Sequence, residues 1–572
     1  MRCPSAVLLT LCLLALCRIA TPAVTASGQA GLLSAGAPTF EQGYAHLQAG
    51  RVDDAIAVLR AFVELQPDHG HAWAVLGYAL HSQKRWDEAL PCHERAADLP
   101  GSAGMGAYNA GLLHAVTGDI DAAFSWLERA AASGTVDMSQ LADDPEAAAL
   151  RDDPRFAALL PSFDDPFVEG ATVLHEWVGE APGGEFGWIA RNCGDVDGDR
   201  LADVVTSAPS LAVSGPQCGT IYVYATGTGE LLWKRSGAPG DRLGVGIEAA
   251  GDVDGDGTPD VIASAPGGNY VLMLAGRDGR LIHRIDAPQP GENFGRKVSD
   301  VGDVDGDGHD DVFVGAPDHD TDLVDVGRAY VYSGKDARLL GHWTGSGAGH
   351  KFGSSGAGAV TSQGPLFAVG APGAGAALGG QTLVFRGFAP EPAFVISADA
   401  GGKQLGAMFV SIVGDVDGDG QPDVYASDWS HGQGEGRIYV HSGATGERVL
   451  AISGTTRGEG FGIGSADLGD LDGDGHDDLV VGSWQYAAAA RSGGRVAIHS
   501  GKDGSLLHAW TGKLADETFG FDATGIGDLN GDGVIDVVLT SAWSGKGGAK
   551  TGRVWVLAGP RRAGDAGHGE DH

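Results

Sequence analysis

The stretch "SDVGDVDGDGHDDVFVGAPD", residues 299–318, joins an acidic loop to a β-branched run. Its aspartates alternate with other residues around two glycines, and Val-Phe-Val and Gly-Ala-Pro follow directly. Taken alone, the stretch is compatible with an EF-hand calcium loop, with a catalytic acid cluster, or with one unit of a repeat. Its recurrence along the chain decides among these three interpretations.

Six intact copies of the acidic loop occur, and they are spaced 51 to 58 residues apart except for one interval of 112. That interval is two periods long, and a degenerate unit at residues 351–373, "KFGSSGAGAVTSQGPLFAVGAPG", lies within it without any aspartate. The sequence therefore predicts seven units. The intact loops begin at Gly194, Gly251, Gly302, Gly414, Gly469 and Gly527.

Each unit has the same order of parts: a Phe-Gly or Leu-Gly pair, an apolar stretch, the loop, and three further strand-like runs. Four short strands per unit indicate a propeller blade. The last unit ends after its third strand, "GRVWVLAGP" (552–560), whereas "VLHEWVG" (173–179) parallels a fourth strand, "LLHAWTG" (506–512). Segment 172–179 is therefore predicted to complete the last blade, since an unpaired edge would otherwise remain. The pairs begin at Phe186, Leu243, Phe294, Phe352, Leu405, Phe461 and Phe519.

The Phe-Gly and Gly-Ala-Pro motifs together resemble the FG-GAP repeat of the integrin α-subunit head, over about residues 170–560. This resemblance implies a seven-bladed β-propeller. In integrin heads, the face opposite the calcium loops meets ligands. The resemblance therefore implies a protein- or glycan-binding face at that end of the blades.

The region before the propeller repeats every 34 residues, as in "GYAHLQAGRVDDAIAVL" from Gly43 and "GYALHSQKRWDEALPCH" from Gly77. Its period and its Trp-x-x-Leu-Gly motif at 73–77 resemble the tetratricopeptide repeat. The predicted fold class is therefore multidomain. An all-α solenoid of three repeats plus a helical cap (38–162) precedes an all-β seven-bladed propeller (170–560). Solenoids of this type bind peptides or proteins, and a purely structural spacer is the alternative.

The acidic loops follow the pattern D-x-D-G-D-G-x-x-D, in which side chains at positions 1, 3, 5 and 9 can converge on one hard cation. Position 7 varies, as expected if it offers only its backbone carbonyl. Ligation by oxygen alone favours about six structural Ca²⁺ ions over zinc. The assigned ligands are Asp195, Asp197, Asp199, Leu201 and Asp203; Asp252, Asp254, Asp256, Thr258 and Asp260; Asp303, Asp305, Asp307, His309 and Asp311; Asp415, Asp417, Asp419, Gln421 and Asp423; Asp470, Asp472, Asp474, His476 and Asp478; and Asp528, Asn530, Asp532, Val534 and Asp536.

An EF-hand and a simple solvated loop are the two other interpretations of these segments. An EF-hand requires a bidentate glutamate at position 12 and flanking helices, whereas position 12 is Val314 in the third unit and strands flank the loop. Simple solvated loops would not keep four ligand positions in six copies. Weaker binding is expected in the first loop, where Arg200 replaces a glycine, and in the last, where Asn530 replaces an aspartate.

The N-terminus is typical of an export signal, with Arg2 before an apolar run and cleavage expected after Ala26. A lipid anchor at Cys17 is a weaker alternative, and no other apolar run is long enough to span a membrane. The mature protein is therefore expected to be secreted, periplasmic or at the cell surface, with a disordered tail at 561–572. Cys193 and Cys218 can pair there or remain buried thiols.

A net charge of −37 argues against nucleic acid as a partner. On the face opposite the loops, blades five to seven carry Trp429, Trp484 and Trp543 where earlier blades carry proline. These tryptophans form an aromatic platform for a glycan or protein, or each packs its own loop. A quinone-dependent dehydrogenase is the enzymatic rival, but the chain has neither eight units nor a vicinal cysteine pair. The prediction is a calcium-stabilised adhesion module without catalytic residues, and a structural envelope component is the remaining alternative.

Overall fold

A computed structural model describes residues 38–136, 138–142, 144–160 and 162–560. The predicted signal segment 1–26 and the tail 561–572 lie outside the described residues. The chain divides into two compact units, one that ends at Cys92 and one that begins at His93. No helix in the described ranges is both long enough and apolar enough to cross a bilayer.

Six helices follow one another, two to each 34-residue period, as the sequence predicts. The 3₁₀ turns Met138–Ala142 and Pro145–Leu150 and the short helix α7 (Pro154–Leu159) follow them. The helices are α1 (Phe40–Gln48), α2 (Val52–Leu65), α3 (Gly70–Ser82), α4 (Trp86–Ala97), α5 (Ala103–Thr117) and α6 (Ile120–Ala132). Helix α1 packs against α2, and α5 packs against α6.

The repeated glycines permit close contact within a helix pair. A Cβ atom on Gly43 would lie 2.6 Å from Cγ of Leu59, and one on Gly111 would lie 2.7 Å from Cγ of Leu127. Both leucines are buried. The 34-residue glycine period therefore reflects packing between the two helices of each repeat.

Twenty-eight strands form seven four-stranded antiparallel sheets within residues 162–560. In blade order the strands are β2 (Ala190–Asn192), β3 (Val204–Ala208), β4 (Thr220–Tyr224) and β5 (Leu231–Ser236); β6 (Ile247–Gly251), β7 (Asp260–Ala265), β8 (Tyr270–Leu274) and β9 (Leu281–Asp286); β10 (Val298–Gly302), β11 (Asp311–Ala316), β12 (Arg328–Tyr332) and β13 (Leu339–Thr344); β14 (Gly356–Thr361), β15 (Gly364–Ala371), β16 (Gln381–Arg386) and β17 (Phe394–Ser397); β18 (Val410–Val413), β19 (Asp423–Asp428), β20 (Arg437–His441) and β21 (Arg448–Ser453); β22 (Phe461–Asp467), β23 (Leu479–Ser483), β24 (Arg495–His499) and β25 (Leu506–Thr511); and β26 (Ala523–Gly527), β27 (Asp536–Ser541), β28 (Arg553–Leu557) and β1 (Val173–Val178).

The ring closes as the sequence predicts. Strand β1 pairs antiparallel with β28, with Glu176 opposite Trp555, so blade seven takes its outer strand from the start of the propeller. The first strand of each blade lies beside the first strand of the next, and β2 lies between β6 and β26. No blade is therefore left with an open edge at the join.

The Phe-Gly and Leu-Gly pairs owe their recurrence to packing between blades. The aromatic or leucine side chain of all seven pairs is buried. Phe186 of blade one, for example, packs in one cluster with Val554 and Val556 of blade seven. The following glycine has no room for a side chain, since a Cβ on Gly295 would lie 2.5 Å from Cβ of Ser264 in the preceding blade.

The segment that leads into the propeller is packed along blades six and seven. The amide of Val168 donates to the carbonyl of Thr511 at 2.8 Å, and the amide of Lys513 donates to the carbonyl of Pro166 at 2.9 Å. Phe167 between them is buried against Phe519 and Trp555. The turn after α6 also contacts blade six, because the backbone amide of Arg491 donates a hydrogen bond to the carbonyl of Gly134 at 2.9 Å. These bonds join the segment before β1 to the blades as part of the fold.

Cys193 and Cys218 are both buried and unpaired. Cys193 immediately precedes the acidic loop of blade one, whereas Cys218 lies in the connection between β3 and β4 at the other end of that blade. A strand of five residues spans about 16 Å, well beyond the reach of a disulfide.

Candidate metal loops and the opposite face

The predicted acidic loops connect the first and second strands of blades one, two, three, five, six and seven. In blade four the same strands, β14 and β15, are joined by the two residues Ser362 and Gln363. The six loops therefore lie at one end of the ring, where the third and fourth strands of each blade are also connected.

Carboxylates converge within these loops. In blade two, one oxygen each of Asp252, Asp254 and Asp260 lie within 4.8 Å of one another. These are loop positions 1, 3 and 9, and blades three, five and six bring the same positions together. The grouped residues of the other loops are Asp303, Asp305 and Asp311; Asp415, Asp417 and Asp423; Asp470, Asp472 and Asp478; and, in blade one, Asp195, Asp197 and Asp199.

The carboxylate at position 5 belongs to a trio in blade one only, where Asp199 groups with Asp195 and Asp197 and the position-9 Asp203 does not. In blade three, Asp307 at position 5 accepts the amide of His309 at 3.2 Å, as Asp199 in blade one accepts that of Leu201 at 2.8 Å. Within residues 162–560, the loop of blade seven forms no such trio of carboxylates, because Asn530 replaces the aspartate at position 3.

Backbone hydrogen bonds fold each loop around its first aspartate. In blade three, Asp303 accepts the amides of Gly306 at 2.7 Å and Gly308 at 2.9 Å, one on each carboxylate oxygen. Both glycines have positive φ, of 79° and 87°. In blade one, Arg200 occupies the second of these glycine positions and still adopts a φ of 78°. That loop therefore keeps its shape at the cost of a strained residue.

The aspartate at position 9 is buried beneath each loop. Asp260 accepts backbone amides from Val253 and Gly276, both at 3.0 Å, and is almost fully buried. Burial raises the pKa of its carboxyl to about 7, and the charge of Asp254 adds to the rise. Burial also raises the pKa of Asp423 to about 7 and that of Asp311 to about 6.

These observations test whether the loops suit a divalent cation. Several carboxylates share one small volume, and burial makes the charged form of the position-9 aspartate costly without a compensating cation. A cation with oxygen ligands relieves both penalties, and the donor set matches Ca²⁺ chemistry. The residues present therefore fit the ion that the sequence predicts.

Lysine and arginine side chains from the turns between third and fourth strands also reach the loops. Arg280 lies 2.8 Å from Asp254, and Lys502 lies 3.7 Å from Asp474. These cations offset part of the acidic charge. Their contribution is small because the basic side chains are more than half exposed.

Two loop histidines join neighbouring blades, a contact that sequence reasoning missed. Nδ1 of His309 in blade three lies 2.9 Å from the carbonyl of Val253 in blade two. His476 in blade six makes the same contact with Val416 of blade five at 2.8 Å. Both residues stand at position 7 of a loop and are followed by Asp-Asp. The motif "GDGHDD" is the signal that identifies them.

On the opposite face, the three predicted tryptophans form one contiguous cluster. The ring centroids of Trp484 and Trp543 are 5.4 Å apart, and those of Trp429 and Trp484 are 6.4 Å apart. Each side chain is partly exposed, and each indole Nε1 is buried without an acceptor in the described part of the chain. Phe521 of blade seven extends the cluster from Trp484 to Trp188, with centroids 5.8 and 4.9 Å apart.

A cavity of about 290 Å³ lies at the centre of the ring. It is lined by the first strands of the blades and by Trp188, Arg296, Met408 and Phe521 around its mouth. Trp188 and Phe521 each directly follow a Phe-Gly pair and line this cavity. The aromatic cluster therefore extends to the edge of the central channel.

Comparison with known sequences identifies both repeat types. The tetratricopeptide repeat family matches residues 40–103. The FG-GAP-like repeat matches 252–314 and 415–481, and the FG-GAP repeat matches 298–332 and 464–499.

Integrin α subunits are among the relatives of the propeller. Integrin alpha-5 of Xenopus laevis is 34% identical over 202 residues, which is 31% of this chain and 19% of that protein. Integrin alpha-PS5 of Drosophila melanogaster is 35% identical over 163 residues, covering 25% of this chain and 16% of that protein. The chain thus spans about a fifth or less of the length of these curated relatives.

The solved structure of BamB from Moraxella catarrhalis matches with a TM-score of 0.34 and 14% identity, over 64% of this chain and 85% of that one. Structural similarity at this level does not establish a shared fold. The sequence matches to FG-GAP repeats fall on residues that the structure folds into four-stranded antiparallel sheets. The chain thus contains FG-GAP repeats within a seven-bladed propeller, preceded by a helical region that contains tetratricopeptide repeats.

Proposed function

We propose that this chain is an exported, calcium-loaded adhesion module that binds a protein or glycan on the propeller face opposite the acidic loops. The observation that carries the proposal is the contiguous cluster of Trp429, Trp484 and Trp543 on three adjacent blades. Partly exposed tryptophans that touch one another offer a large apolar surface. Such surfaces are enriched at binding interfaces.

Calcium has a structural role in this proposal. The carboxylates of positions 1, 3 and 9 would hold an ion in each of blades two, three, five and six. Position 5 and the carbonyl at position 7 would complete the ligand set. The ions would offset the acidic charge at that end of the ring, and the opposite face would remain free for a partner.

The helical repeats supply a second binding surface. Tetratricopeptide repeats present a concave face to peptides, and residues 40–103 match that family. The whole chain is therefore proposed as a connector between two partners and not as an enzyme.

Binding arrays test the proposed ligand face. The calcium-loaded chain is applied to protein and glycan arrays beside its Trp429→Ala, Trp484→Ala and Trp543→Ala variants. Capture by the wild type that falls at least about tenfold in the tryptophan variants supports the proposal. Lys335→Ala, at an exposed lysine beside an acidic loop, is the control and keeps full capture. Equal capture by all variants contradicts the assignment of the face.

Chelation tests the metal separately. We expect the melting temperature of the chain to fall when calcium is removed and to recover when Ca²⁺, but not Na⁺ at equal ionic strength, is returned. An unchanged melting curve contradicts the calcium assignment whatever the arrays report.

A further inference from the structure

Arg296 holds an unusual position at the mouth of the central cavity. It directly follows the Phe-Gly pair of blade three. The corresponding residues of the other six blades are all uncharged: Trp188, Val245, Ser354, Ala407, Ile463 and Phe521. Arg296 is therefore the single ionised side chain at this position of the ring.

The Arg296 guanidinium has no hydrogen bond or ion pair with any residue in the described ranges. Arg242 lies three residues before Val245 of blade two, which lines the same cavity as Arg296, and the Arg242 Nε is buried without an acceptor in the described residues. The nearby carboxylate of Asp318 is already held by Lys351 at 2.7 Å. Neither guanidinium forms an ion pair with a carboxylate in the described residues, although Glu248 and Asp300 line the same cavity as Arg296.

Burial lowers the pKa of the Arg296 guanidinium from its ordinary value, and the adjacent Arg242 lowers it further against the influence of Asp318. This direction is the one expected of a guanidinium that has no paired carboxylate. Arg191, in the same channel, is a contrast, because it is paired with both Glu248 and Asp522. An unpaired, partly buried charge is costly, so its partner is expected to arrive from outside.

We propose that Arg242 and Arg296 form a binding site for a carboxylate side chain that a partner protein inserts into the channel mouth. This inference rests on the proposed function and names the chemistry of the partner. The planar guanidinium binds a carboxylate through two parallel hydrogen bonds, and a partly desolvated site strengthens them. The 290 Å³ cavity has room for an aspartate or glutamate side chain.

The surroundings favour a protein over a glycan as the occupant. Trp188 and Phe521, with ring centroids 4.9 Å apart, line the same cavity as Arg296. Phe521 connects this rim to Trp484 and hence to the tryptophan cluster. Arginine that lines one cavity with aromatic residues is typical of protein-interface hot spots. The acidic residue would anchor the partner, and apolar residues beside it would cover the aromatic rings.

Selection of displayed peptides tests the site. Random 12-residue peptides on phage are selected against the immobilised, calcium-loaded full chain and against its Arg242→Gln/Arg296→Gln variant. We expect aspartate or glutamate to be enriched at one position of the wild-type peptides, next to apolar residues. Selected peptides should bind the double variant at least about tenfold more weakly. Arg284→Gln, at an exposed arginine of an outer strand, is the matched control and should bind them normally.

The melting temperature of the variant distinguishes a binding role from a structural one. Removal of two unpaired charges should leave the melting temperature without peptide unchanged or higher. A fall of about 5 °C or more means that the arginines stabilise the fold and overturns the proposal.

Three binding outcomes also overturn it. Selection of peptides that lack an acidic preference but require Trp484 for binding would support the proposed tryptophan face and reject the carboxylate site. Acidic glycans captured in place of peptides, and lost in the double variant, would contradict a protein as the occupant. Failure to select any peptide, together with empty protein and glycan arrays, would reject the proposed function as well.

Discussion

Nε of Arg191 in blade one donates a hydrogen bond to Glu248 in blade two at 3.1 Å. Glu248 also accepts Nζ of Lys297 in blade three at 3.1 Å, and Arg191 contacts Asp522 in blade seven. Four consecutive blades around the ring closure are therefore tied through one charged network inside the channel. The side chains of Arg191 and Glu248 are less than one-fifth exposed, so water screens this network little.

Replacement Glu248→Gln should destabilise the protein by about 3 kcal/mol, because it leaves Arg191 and Lys297 short of negative charge in a partly buried site. The free energy of unfolding is measured in urea with calcium present. Asp286→Asn removes the carboxylate of an exposed pair with Arg284 and should cost less than about 0.5 kcal/mol. Equal costs for the two variants would show that the channel network contributes no more than a surface ion pair.

The buried position-9 aspartates make stability depend on pH when calcium is absent. Burial raises the pKa of Asp260 and Asp423 to about 7, above the value of about 3.9 for a free aspartate. Between these values the native chain binds more protons than the unfolded chain, so its stability falls as pH rises from about 4 to 7. Melting temperatures in calcium-free buffer should therefore decrease across that range.

Calcium affinity should change with pH in the opposite sense. An ion can be held by these carboxylates only after they lose their protons, so binding strengthens as pH rises through about 6 to 7. Calcium titrations by calorimetry at pH 5.5 and 7.5 measure the effect. The difference should shrink in Asp260→Asn/Asp423→Asn, which has no proton to release at these two positions. An affinity that does not vary with pH would contradict the role of these aspartates.

The seven blades and the closing strand could be predicted from the sequence because each unit repeats its own signals. The recurring aspartates identified the loops, and "VLHEWVG" at 173–179 identified the strand that completes blade seven. The helix pairs were predictable for the same reason, from glycines 34 residues apart. A sequence signal that is weak in one unit predicts the fold when it recurs at a fixed period along the chain.

The interactions that occur once could not be predicted from the sequence. Arg191 and Asp522 are 331 residues apart, and only closure of the ring brings them together. Arg296 looks like an ordinary exposed arginine until the channel mouth is known. The loops show a similar limit: the pattern gives four equivalent carboxylates, whereas in blades two, three, five and six only positions 1, 3 and 9 converge.

Replacement Arg200→Gly should stabilise the first loop. Arg200 has a φ of 78°, whereas the equivalent Gly257 and Gly308 adopt 86° and 87° without strain. The change should add about 0.5–1 kcal/mol to the free energy of unfolding and strengthen calcium binding by blade one. Arg200→Ala removes the same charge but keeps the strained backbone, so it separates the two causes. A gain in stability from alanine equal to that from glycine would assign the effect to charge alone.

Substitution of Phe167 tests whether the segment before β1 is part of the propeller fold. Its ring is buried, with its centroid 4.6 Å from that of Phe519 and 5.8 Å from that of Trp555. Phe167→Ala should therefore cost about 3–5 kcal/mol, because it opens a cavity between blades six and seven. The adjacent Val168 is 56% exposed, and Val168→Ala should cost less than about 0.5 kcal/mol.

Urea unfolding of the two variants, followed by tryptophan fluorescence, measures this difference. Because Trp555 contacts Phe167, its emission should report the loss of packing directly. If the segment were only a tether between the helices and the blades, the two substitutions would have equally small effects. A large cost for Phe167→Ala alone would mean that the propeller requires residues before its first strand, because they cover the seam between its last two blades.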